Sequence, residues 1–84
     1  MYWDVTKVTP KGELTLWVIF ADGTSGDVKF LKESLTGVFE PLKDPLFFQQ
    51  VHICAGAVTW PGEVDIAPDA MYHEIRQNGE WVLS

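Results

Sequence analysis

The sequence predicts an α+β domain: a three-stranded antiparallel meander plus a second short strand pair, with short helices packed on one face. Three observations carry this reading. β-prone runs with alternating apolar residues follow one another between residues 2 and 30, turn signals separate them, and two Pro-marked helix starts, Asp44-Pro45 and Pro68, interrupt what remains.

The first strand is predicted over Tyr2–Thr9, with Trp3, Val5 and Lys7 on one face and Asp4, Thr6 and Val8 on the other. Thr9-Pro10-Lys11-Gly12 then turns the chain, because Pro10 presets φ and Gly12 accepts a positive one. The second strand, Glu13–Ala21, places Leu14, Leu16, Val18 and Phe20 opposite Trp17 and Ile19; apolar on both faces, it is predicted to be central. Asp22-Gly23 signals a two-residue hairpin with positive φ at both positions. The third strand, Thr24–Phe30, turns Gly26, Val28 and Phe30 to the core.

Leu31–Thr36 has room for a turn or two of helix, with Leu31 and Leu35 facing inward and Gly37 as its stop. Glu40-Pro41-Leu42 breaks the chain. Asp44 and Pro45 then read as N-cap and first residue of a short helix through Gln50, anchored by Leu46 and Phe47 or Phe48. Val51–Ala55 and Ala57–Trp60, split by Gly56, form the second strand pair, which Pro61-Gly62 ends. A last helix spans Pro68–Gln77, with Met71 and Ile75 stacked and Asn78-Gly79 closing it. Glu80–Ser84 is left as a tail. The core is expected to draw on Leu16, Trp17, Val18, Ile19, Phe20, Phe39, Phe48 and Ile53.

Composition narrows the function classes. At 84 residues the chain is one domain with a thin stability margin, and 46% hydrophobic content argues against disorder. Cys54 is the only cysteine, so no internal disulfide forms and a reducing cytoplasm is the expected compartment. No run approaches the length of a membrane span, and MYWDVTK lacks the basic start and apolar stretch of a signal peptide. Twelve acidic against six basic residues give a net charge of −6, with the basic residues scattered singly. Direct binding to DNA or RNA is therefore disfavoured, while the acidity serves solubility and suits a basic protein partner.

The order of features is similar to a known family. Trp3, Phe20-Ala21-Asp22-Gly23, Gly37-Val38-Phe39-Glu40-Pro41-Leu42, Asp44-Pro45, Phe48, Val58-Thr59-Trp60-Pro61, Val64-Asp65-Ile66-Ala67-Pro68-Asp69 and Tyr72 resemble the bacterial family of domain of unknown function 2442. The resemblance implies a small α+β fold, a cytoplasmic bacterial protein and no established activity. Some relatives look like fusions to a helix-turn-helix domain, and others stand beside small toxin-like proteins, which implies an antitoxin-like role. His52-Ile53-Cys54-Ala55-Gly56 departs from the longer, acidic hairpin tip usual in the family.

Candidate chemistry is sparse. Glu63, Asp65 and Asp69 crowd a short stretch, but their spacing fits no Ca²⁺ loop; Asp65 as a cap before Pro68 and Asp69 in the first helical turn explain them structurally. His52 and Cys54 share a strand face and could meet a metal only if His73 docked beside them, and neither a third orienting group nor a phosphate-binding Gly-rich loop is visible. No cofactor, metal or catalytic residue is assigned, and the chain is expected not to be an enzyme; a small carboxylate- or His-dependent hydrolase or metal-binding protein is the alternative. Apolar Trp81, Val82 and Leu83 end the chain and need cover, from their own chain, a second copy or a different protein. The expected function is thus a protein-interaction module, either homodimeric or the antitoxin-like partner of a small basic protein.

Overall fold

The structure, a computed structural model, describes residues 1–62 and 64–83. Strands β1 (Val5–Pro10), β2 (Thr15–Phe20) and β3 (Ser25–Phe30) form the expected antiparallel meander, and β2 is central. The tail is its fourth strand: β7 (Glu80–Leu83) lies parallel to β3, giving the order β1-β2-β3-β7. A second sheet of β4 (His52–Cys54), β5 (Ala57–Trp60) and β6 (Val64–Ile66) has three strands where a pair was expected. Helices α1 (Pro45–Phe48) and α2 (Pro68–Asn78) and 3-10 segments at Lys32–Ser34 and Gly37–Lys43 complete the chain. No helix among the described residues is long and apolar enough to cross a membrane.

Local chemistry accounts for most boundaries. Asp44 accepts a hydrogen bond from the Leu46 amide at 3.0 Å with Pro45 in the first turn, so α1 starts where the N-cap signal places it. It ends at Phe48 and leaves Leu46 75% exposed, so Phe48 alone is the buried anchor and Leu46 is not one. Ala55 and Gly56 both take positive φ at the tip of the β4–β5 hairpin. Gly79 takes φ 80° and its amide closes α2 on the Ile75 carbonyl at 2.7 Å.

Four expectations need correction. The β1 register skips between Val5 and Lys7, a bulge that puts Val5 and Val8 on one face, so Thr6 and Lys7 are the exposed residues between them. Only Gly23 has positive φ in the β2–β3 turn: the Phe20 amide bonds the Thr24 carbonyl and the Gly23 amide the Phe20 carbonyl, making Ala21-Asp22-Gly23 a three-residue loop. The residue preceding α2 is Ala67, with no side-chain cap, so Asp65 is not the cap. Trp17 and Ile19 lie half-buried on the open face of the first sheet, where Thr9 and Asp27 flank Trp17; they do not join the core.

The core sits between the inner sheet face, α2, α1 and the second sheet. Leu16, Val18, Phe20 and Val28 meet Leu42, Val58, Trp60 and Met71, while Phe39 and Ile53 pack only half-buried against them. Buried Trp60 keeps its polar atom satisfied by donating Nε1–H to the Phe48 carbonyl at 2.8 Å. The Val5 amide bonds the Gly56 carbonyl at 2.8 Å, joining the second sheet to the start of β1.

Candidate functional site

Two concavities carry the residues singled out from the sequence. The first lies on the second sheet. The registers His52↔Thr59 and Thr59↔Asp65 set His52, Thr59 and Asp65 in one cross-strand row, and Cys54 stands two residues along β4 on the same face. Together with Cys54 they line an open depression of about 530 Å³. Its groups are committed locally. Buried Thr59 donates its hydroxyl to the Asp65 carboxylate. His52 Nδ1 lies 3.2 Å from the Gln50 carbonyl, which only accepts, so that contact needs the proton on Nδ1. Neighbouring strands stand about 4.8 Å apart, so His52 and Asp65, two strands apart, have backbones about 10 Å from one another, and each makes its hydrogen bond elsewhere, to Gln50 and Thr59.

Asp69 and His73 are exposed on α2, outside this depression. Cys54 is an exposed free thiol. Among the described residues no three His, Cys, Asp or Glu side chains are grouped to hold a metal, and Glu63 lies outside the described residues.

The second concavity is apolar. Inner-facing Trp81 and Leu83 of β7 line a groove of about 320 Å³ together with Phe30 of β3, which stands beside Leu83, and with Leu35, Phe39, Asp65 and Ile66. Trp81 and Leu83 are half-buried against the core, and Val82, on the opposite sheet face, is 42% exposed. The tail thus finds cover on its own chain for two of its three apolar side chains. Lys29 and Glu80 form an ion pair at 3.0 Å beside it, which the Glu80 carboxylate expresses by raising the Lys29 pKa.

Residues 5–77 match the model of the family described as protein of unknown function (DUF2442). The chain belongs to this family. The DUF2442 match takes in both sheets up to α2 and ends before β7, so Trp81, Val82 and Leu83 lie beyond it. No curated protein and no solved structure matches the chain.

Sequence reasoning missed the groove beside the tail and one polar pair. Phe30, Leu35 and Ile66 come from three separate segments, and no spacing signals their convergence. Tyr72 donates its hydroxyl to Asp22 Oδ2 at 2.5 Å across fifty residues of chain, inside an aromatic cluster with Tyr2 and Phe20.

Proposed function

We propose that this DUF2442 chain is a non-enzymatic, cytoplasmic protein-interaction module that works by holding another protein. What carries the reading is the apolar groove between β7 and Phe39, because aromatic and aliphatic side chains left half-covered beside a strand edge are what protein interfaces bury. The net charge of −6 supports a cationic partner by speeding encounter, and disfavours direct nucleic-acid binding. A small basic toxin-like protein meets this description, with the chain as its antitoxin-like partner; a homodimer is the other assembly of this class. Neither requires a cofactor.

The depression lined by His52, Cys54, Thr59 and Asp65 favours a second reading, a small metal-binding protein or hydrolase. One experiment separates the two. The full chain, purified from its host, is examined by light scattering, by mass spectrometry of co-purifying proteins and by metal analysis after dialysis. A stoichiometric protein partner or a dimer, without retained metal, is the expected result. A monomer with no partner overturns the module, and stoichiometric zinc moves the assignment to the second reading.

A further inference from the structure

The outer edge of β7 is unpaired, and its geometry defines what it can accept. The Leu31 amide donates to the Leu83 carbonyl at 3.2 Å, so the polar groups of Leu83 face β3. Backbone groups alternate sides along a strand, which turns the N–H and C=O of Val82 and Glu80 to the opposite edge. Among the described residues no backbone hydrogen bond reaches that edge. The inner face of the same strand carries Trp81 and Leu83 into the apolar groove, where Asp65 is the one charged residue among the described lining residues, its carboxylate held by the Thr59 hydroxyl.

We infer that an extended, cationic segment of a partner protein adds to β7 as a fifth strand of this sheet. This rests on the protein-interaction reading and names its surface and partner chemistry. The incoming strand exchanges hydrogen bonds with Val82 and Glu80, sets its apolar side chains beside Trp81 and Leu83, and turns the alternate, basic side chains to the opposite face of the sheet, where the Glu80 carboxylate lies. Charge decides between occupants. A second copy would bring another net −6 toward this chain and at Glu80 only a carboxylate already paired with its own Lys29, whereas alternating basic and apolar residues complement both the chain's net acidity and the groove.

The test uses a fluorescent heptapeptide of alternating lysine and leucine, its glutamate-for-lysine counterpart, and two versions N-methylated on one or the other set of alternate residues. Anisotropy is read against the full chain and against Val82→Pro. That substitution removes only an outward N–H on an edge strand, the setting in which proline is tolerated, and its urea midpoint reports that the fold is kept. Saturable binding of the lysine peptide is expected, weakening with salt, lost by about tenfold or more in Val82→Pro and in one N-methylated version but not the other. The absence of saturable binding, equal binding of the glutamate peptide, equal sensitivity to both methylation patterns, or undiminished binding to folded Val82→Pro each overturns the inference. If Val82→Pro does not stay folded, the two N-methylated peptides decide alone. A wild-type dimer that Val82→Pro dissolves assigns the edge to a second copy and overturns the cationic occupant. A host partner retained equally by wild type and Val82→Pro refutes the edge while leaving the interaction module standing; no partner and no dimer in either form refutes both.

Discussion

The Tyr72–Asp22 hydrogen bond is where one side chain changes another's chemistry. Asp22 already accepts from the Thr24 amide at 2.9 Å within its turn; the added Tyr72 hydroxyl, the larger influence, lowers its pKa, and the carboxylate in return raises the pKa of Tyr72. Asp22 binds its proton more weakly in the folded chain, so its contribution to stability is present above the unfolded carboxylate value of about 4 and fades as pH falls through the lower folded value. Tyr72 holds its proton more tightly when folded, so its contribution is present below about 10 and fades as pH rises through its raised value. In Tyr72→Phe, carboxyl-detected NMR should show the Asp22 pKa rising toward the ordinary aspartate value, with the stability gap to wild type closing at acid pH. An unshifted Asp22 titration would show that the hydroxyl does not govern it. Asp22 was legible in the sequence as a turn residue because Gly23 follows it; its partner was not, since the pairing exists only once α2 crosses the β2–β3 turn.

At the scale of elements, packing separates residues that look alike in sequence. Leu46 and Leu42 are both leucines near α1, yet Leu46 is exposed, because a helix of one turn presents only one side to the core and Phe48 takes it, while Leu42, in the preceding 3-10 segment, is fully buried. Gly26 is stricter than its place on a regular strand implies. A Cβ there would stand 2.7 Å from both the Gly79 carbonyl oxygen and Ile75 Cγ2, so the end of α2 rests directly on β3. Urea denaturation should find Gly26→Ala destabilised by about 1–3 kcal/mol, while Leu46→Ala stays within about 0.5 kcal/mol of wild type. A neutral Gly26→Ala would mean that α2 shifts freely. The third strand of the second sheet escaped the sequence reading because Val64-Asp65-Ile66 is too short to show a period, and its inward Val64 and Ile66 are recognisable only against β5.

Over the whole molecule, β7 ties the last residues to the middle of the chain. It pairs with β3 after the second sheet and α2 have intervened, and Val28 and Phe30 stand in register with Trp81 and Leu83. Deleting residues 80–84 removes a strand, uncovers part of that inner face and should lower the urea midpoint clearly, whereas Val82→Pro should leave it near wild type. A deletion as stable as the full chain would show that β7 is not integral to the sheet. A truncated chain that fails to bind is therefore a poor witness to an interface, since it loses stability along with the strand.

The meander, the strand pair split at Gly56, the Asp44-Pro45 helix start and the Met71–Ile75 stripe were readable from the chain because each follows from neighbours a few residues apart: Pro fixes φ, Gly admits a positive one, Asp caps an amide, and apolar spacing selects a period. The bulge in β1, the open-face position of Trp17, the Thr59–Asp65 bond and the parallel seat of β7 came only with the tertiary structure. Each depends on which distant segments lie side by side. No local preference of Glu80–Leu83 distinguishes a strand added to β3 from one added to another protein; the edge of β3 decides it, because there Trp81 and Leu83 stand beside Val28 and Phe30 and extend their apolar face.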